Sequence, residues 1–71
     1  MKIGELAATA QTQVETIRYY EREGLLPQAP RSEGNYRIYG PDYVERLAFV
    51  RHCRSLDMTL EEIRVLLRFK D

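Results

Sequence analysis

Chemistry in this chain is concentrated in two short runs. The first is Glu15-Thr16-Ile17-Arg18-Tyr19-Tyr20-Glu21. At 100° per residue on a helix, Val14 and Ile17 share one side, Glu15, Thr16 and Tyr19 the far side, and Arg18 the shoulder. An Arg there can grip a guanine edge or a phosphate. A Tyr can hydrogen-bond a phosphate while its ring packs on sugar. The plainer account is an amphipathic helix whose Arg18 pairs with Glu15 or Glu21, and taken alone the helix favours it. Tyr20 lies partly toward the core side, so its ring should pack and leave only the hydroxyl free, whereas Tyr19 is better placed for open contact. Glu15 can complete a helix cap or accept from a cytosine amine, and the cap is the simpler role.

The second run is Arg31-Ser32-Glu33-Gly34-Asn35-Tyr36-Arg37. Two Arg, an Asn and a Tyr around a glycine-containing turn make a compact positive loop. If Ile38 faces the core, strand alternation puts Arg37 and Tyr39 on the opposite face. Alone, the run reads as a solvated hairpin tip. Beside a short helix–turn–helix it tips the balance toward duplex DNA.

Other polar groups carry less. Arg51, His52 and Arg54 cluster late in a helix, where the macrodipole favours cations, and His52 has no second metal ligand nearby. Cys53 sits among apolar neighbours as a small core residue. There is no glycine-rich phosphate loop, no GxSxG and no HExxH, so an enzyme ranks last. Eleven Lys+Arg against eleven Asp+Glu give zero net charge, so any nucleic-acid contact must come from how charge is distributed. Nine of the eleven cations are Arg, the residue suited to bidentate phosphate or guanine contacts. One Cys excludes an internal disulfide and a multi-cysteine zinc site in this segment and points to a reducing, cytoplasmic setting. No apolar run approaches the roughly 20 residues of a membrane span, and Met1-Lys2-Ile3-Gly4-Glu5 lacks a signal-peptide core.

These residues need elements to hold them. With 71 residues, one domain is the limit. Ile3, Leu6, Ala7 and Ala10 form one stripe of a helix over about 3–10. Thr12 and Glu15 fit a capping box opening a second helix over about 13–23, which Gly24 and Leu25 should terminate. Residues 25–40 lack helical period. Pro27, Pro30 and Gly34 punctuate them, and Tyr36-Arg37-Ile38-Tyr39 is rich in strand formers, predicting a small hairpin with its tip near 32–35. Gln28-Ala29-Pro30-Arg31 would be its weak first strand. Gly40-Pro41-Asp42 looks like a helix start with Pro at the first helical position. That third helix, about 41–55, carries apolar residues on more than one stripe and should touch neighbours on two sides. Thr59 with Glu62 is a second capping box, before a last helix faced by Leu60, Ile63, Leu66 and Leu67. The expected fold is mainly α, a winged helix–turn–helix. The helix–turn–helix covers about 3–23, the wing about 28–39, and two further helices about 41–55 and 59–69.

The runs Ile3-Gly4-Glu5-Leu6-Ala7, "TIRYYEREGLL" from Thr16, Arg31, "NYRIY" from Asn35, Val44-Glu45-Arg46-Leu47-Ala48-Phe49-Val50 and Leu60-Glu61-Glu62-Ile63-Arg64 closely resemble the MerR family of transcriptional regulators. The likeness spans essentially the whole chain. It implies a second helix in the major groove, a wing gripping nearby backbone, and dimers on promoter inverted repeats. Those dimers distort the DNA so that RNA polymerase can align with both promoter elements. By matching position, the implied DNA contacts are Arg18, Tyr19 and Tyr20 on the helix and Arg31, Asn35, Tyr36 and Arg37 on the wing. Many members have Gly where this chain has Asp57, and Cys53-Arg54-Ser55-Leu56-Asp57-Met58 looks like the cadmium- and lead-responsive branch. In that branch the metal-binding cysteines and the long dimerisation helix lie beyond residue 71. The resemblance therefore implies no cofactor within this segment, a divalent heavy metal as effector of a longer protein, and Cys53 outside the ligand set. Two other readings predict differently. An excisionase-like architectural protein would share the layout without sensing an effector. A small helical adaptor would use its exposed Tyr and Leu residues on a protein.

Overall fold

The computed structural model describes residues 1–31, 33, 34 and 36–70. Four helices follow in order: α1 (Ile3–Thr9), α2 (Val14–Arg22), α3 (Asp42–Ser55) and α4 (Leu60–Lys70). Residues 25–41 lie between α2 and α3 as the wing.

The turn from α1 to α2 forms around Gln11, whose φ of 53° is left-handed. The Thr12 N–H reaches back to the Ala7 carbonyl at 2.9 Å. This geometry overturns the capping box expected at Thr12. The Thr12 hydroxyl donates to the Ala10 carbonyl at 3.0 Å, and α2 starts one residue later, with Gln13 as its N-cap and no side-chain cap bond. Glu15 is thereby released from the capping role and lies exposed in the first turn.

The other end of α2 closes as the sequence requires. Gly24 takes φ 76°. Its N–H bonds to the Glu21 carbonyl, and the Leu25 N–H bonds to the Tyr20 carbonyl at 2.9 Å, the paired bonds of a Schellman motif. Leu25 is fully buried and Pro27 keeps the helix from resuming.

The wing is not a regular hairpin. Its only ladder element among the described residues is one antiparallel bridge between Arg31 and Arg37, backed by the Ile38 N–H on the Pro30 carbonyl at 2.9 Å. Pro27 and Pro30 lack donors, so the expected first strand cannot sustain a ladder. The alternation is also opposite to expectation: Tyr39 is 1% exposed and Ile38 is 37% exposed. Tyr39 wins the core position because its ring meets Tyr43 edge-on at 5.1 Å and its hydroxyl finds a buried acceptor in Glu21. The Tyr43 hydroxyl in turn donates to the Pro27 carbonyl at 2.9 Å.

Helix α3 divides the core in two, as its double stripe implies. Tyr43 and Leu47 join Leu6, Ala7, Ile17, Leu26, Ala29 and Tyr39 in one cluster. Val50 and Cys53 join Leu25, Ile63 and Leu67 in the other. Pro41, already in right-handed helical backbone, precedes the first residue of α3, one position from the expected start. The α3–α4 turn uses Asp57 at φ 61°, and the Thr59–Glu62 capping box forms reciprocally at 2.8 and 3.1 Å. Arg64 then ties α4 to the end of α2, donating to the Glu23 carbonyl at 2.7 Å and its carboxylate at 3.0 Å. Among the described residues no helix is long and apolar enough to cross a membrane.

Candidate nucleic-acid interface

Because α2 ends in a tight left-handed turn, the wing folds back along it. The space between them is an open cleft of about 520 Å³. Arg18 and Arg22 line it from α2, one turn apart on the same face. Arg31, Tyr36 and Arg37 line it from the wing, and Lys2 from the N-terminus. Five cations of an electroneutral chain therefore face one groove, with Glu21 as the acid at its floor.

Glu21 organises the floor. Its side chain is 2% exposed. Oε1 accepts the Tyr39 hydroxyl at 2.9 Å and Arg37 Nη1 at 3.2 Å. Oε2 is buried with no partner among the described residues. Burial, then the adjacent Glu21 carboxylate, push the Tyr39 hydroxyl above its ordinary pKa. The Arg37 guanidinium is held more firmly protonated by its hydrogen bond with Tyr39 and by the charge of Glu21.

Six of the seven expected contact residues are among the described residues. Arg18 is exposed in the cleft and has no ion-pair partner among the described residues, so the pairing with Glu15 or Glu21 does not form. Tyr19 is 41% exposed, beside Arg22 at 5.9 Å and outside the cleft wall. Tyr20 is half-buried and packs against both core clusters, as its place on the helix suggested. Arg31 is exposed on the wing. Tyr36 is exposed, with the Lys2 ammonium 4.4 Å from its ring centroid. Arg37 is half-buried and salt-bridged to Glu21. Asn35 lies outside the described residues.

Reasoning from the sequence overlooked Lys2 and Arg22, and it considered Glu21 only as an ion-pair partner of Arg18, whereas Glu21 holds Arg37 and Tyr39. Arg22 could have been found, since it sits four residues after Arg18 on the same helical face. Lys2 could not, because only the fold shows that the N-terminus pairs with the wing. Among the described residues no three His, Cys, Asp or Glu side chains gather as a metal site. Arg54 is spent locally, donating to the Met58 carbonyl at 2.7 Å.

Known proteins share this fold. The chain is 48% identical over 71 residues to an HTH-type transcriptional regulator ZntR homolog of Haemophilus influenzae, covering 100% of this chain and 53% of that one. It is 47% identical to a mercuric resistance operon regulatory protein of Bacillus cereus, covering 99% and 53%. It superimposes with a TM-score of 0.94 and 55% identity on the crystal structure of the transcription regulator PbrR691 from Ralstonia metallidurans in complex with lead(II), covering 100% and 56%. The chain thus spans about half the length of the relatives it matches. The family model for MerR HTH regulatory proteins matches residues 1–70, and the chain belongs to that family.

Proposed function

We propose that this chain is the DNA-binding part of a MerR-type transcriptional regulator, with α2 entering the major groove and the wing lying along adjacent backbone. One observation carries the reading. Lys2, Arg18, Arg22, Arg31 and Arg37 converge on the α2–wing cleft while the chain as a whole has no net charge. Phosphate contacts dominate such binding and make it strongly salt-dependent. Arg18 supplies the free guanidinium on the helix, with Tyr19 at the rim and the Tyr20 hydroxyl behind it. Arg31, Asn35, Tyr36 and Arg37 form the wing's share. Extended to the longer protein, the reading has it working in the cytoplasm as a homodimer on promoter inverted repeats. Distortion of the promoter then lets RNA polymerase engage both elements. The lead(II) and mercuric-resistance relatives support a divalent heavy metal as effector, bound outside this segment.

The test is fluorescence anisotropy of the 71-residue chain with duplexes selected from a random-sequence library, titrated across salt. Affinity should fall steeply with salt. Arg18→Ala and Arg31→Ala should each weaken binding and reduce the log–log salt slope by about 1. Unchanged affinity and slope in both variants overturn the assignment.

A further inference from the structure

A negative charge at the floor of a phosphate-binding cleft is electrostatically adverse, yet Glu21 occupies that place. It is 2% exposed, and one of its two oxygens has no partner among the described residues. A half-partnered buried carboxylate costs stability, and an apolar side chain would fill the space at lower cost. What Glu21 does is geometric. From α2 it reaches across to two wing residues, 16 and 18 positions along the chain, and holds both on a single oxygen.

We propose that Glu21 is the positioning residue for the wing: it fixes Arg37 at a set distance from Arg18, so that the two guanidiniums meet the DNA backbone together. The proposal rests on the DNA-binding reading above. Arg37 lines the cleft, so the guanidinium N–H groups not taken by Glu21 or Tyr39 can donate into it. The second wing anchor, the Tyr39 hydroxyl on the same Oε1, keeps the carboxylate from following Arg37 outward. Pre-set donors bind phosphate without first losing side-chain freedom.

This assignment makes a prediction of opposite sign to simple charge counting. Removing a carboxylate from a cationic cleft should tighten DNA binding if only net charge mattered. If Glu21 positions Arg37, its loss should weaken binding.

The experiment is a double-mutant cycle in the 71-residue chain, using duplexes selected by the wild type, with helicity and melting followed by circular dichroism. Glu21→Gln is nearly isosteric and should weaken binding about tenfold, the effect of one misplaced charge-assisted hydrogen bond. Arg37→Ala should weaken it similarly. The double variant should be no weaker than Arg37→Ala alone, because the two act as one unit. Additive losses, or equal or tighter binding by Glu21→Gln, overturn the proposal while leaving DNA binding intact. A wild-type chain that selects no duplex overturns both readings. If Glu21→Gln does not fold, wild-type NMR decides. An ordered Arg37 guanidinium, with slowed rotation in free protein, supports the assignment, and free rotation overturns it.

Discussion

Met1 and Tyr39 exchange both of their backbone hydrogen bonds. The Met1 ammonium donates to the Tyr39 carbonyl at 2.6 Å, and the Tyr39 N–H donates to the Met1 carbonyl at 2.7 Å. The wing is therefore clasped from two sides, by the N-terminal segment through its backbone and by α2 through Glu21. A wing with one β-bridge has little ladder of its own, so these outside clasps should set its stability. Deleting Met1 and Lys2 should speed hydrogen exchange at the Tyr39 amide by at least about tenfold, corresponding to one lost buried hydrogen bond, while Val50 in the second cluster exchanges as before. Native-state exchange read by NMR checks this. An unchanged Tyr39 amide would show that the clasp contributes nothing.

Two titrations should bound the stability of the fold in pH. The Glu62 carboxylate lies below its ordinary value of 4.5, because the Thr59 backbone N–H donates to it and the Thr59 hydroxyl adds to the effect. A lowered native pKa means stabilisation that is complete above the ordinary value and is lost as pH falls through it toward the native one. The melting temperature of Glu62→Gln should thus lie below that of the wild type at neutral pH, and the gap should close in acid. At the other end, Tyr39 and Tyr43 have raised hydroxyl pKa values, chiefly through burial. Their contribution should hold below the ordinary value of 10.0 and fade as pH rises above it. Melting curves across pH measure both limbs, and a constant gap between wild type and Glu62→Gln down to strong acid would contradict the first.

The helices and most core-facing residues were legible because period and cap residues are local signals, although Leu66, expected on the buried face of α4, is 41% exposed. Gly24 announced a left-handed stop and Thr59-x-x-Glu62 a reciprocal cap, and both formed. Thr12-x-x-Glu15 has the same spelling but does not cap, because Gln11 in left-handed backbone turns the Thr12 hydroxyl back to α1. The wing was misread at Ile38 and Tyr39 for a different reason. Which of two adjacent strand residues goes inward depends on what waits there. The acceptor was Glu21, 18 residues away and itself considered only as an ion-pair partner of Arg18. Arg18 was placed correctly from helical angle alone, whereas the cleft needed Lys2, brought in by a pairing between chain segments 38 residues apart.

Gly24 and Asp57 offer paired tests of backbone cost. A Cβ on Gly24 would meet nothing within 4 Å, so the penalty for Gly24→Ala is dihedral alone. At φ 76° it should destabilise the chain by about 1 kcal/mol. Gly24→Asn should cost less, since Asn tolerates left-handed backbone better. At Asp57, φ 61°, the reverse change Asp57→Gly relieves the same strain, offset partly by the freer unfolded chain, and should be neutral to mildly stabilising. Urea unfolding of the three variants checks the order. Gly24→Ala as stable as wild type would mean that the α2 stop is not under dihedral control.

Cys53 is a built-in reporter for the second core cluster. The thiol belongs to a residue of α3 that is 3% exposed and packed with Leu25, Val50, Ile63 and Leu67. A thiol reagent should reach it only when α4 lifts away or the chain unfolds. Ile63→Ala removes the fully buried centre of that contact, at a cost of about 2–5 kcal/mol. Labelling should then accelerate by at least about thirtyfold, the factor that 2 kcal/mol confers on an opening equilibrium. Leu56→Ala, at a residue 62% exposed in the preceding turn, should leave the rate within twofold, roughly the noise of a surface change. Wild-type labelling at the rate of a free thiol would place Cys53 at the surface and dissolve the second cluster. A fast Ile63→Ala beside a slow Leu56→Ala would show that α4 is held by that cluster.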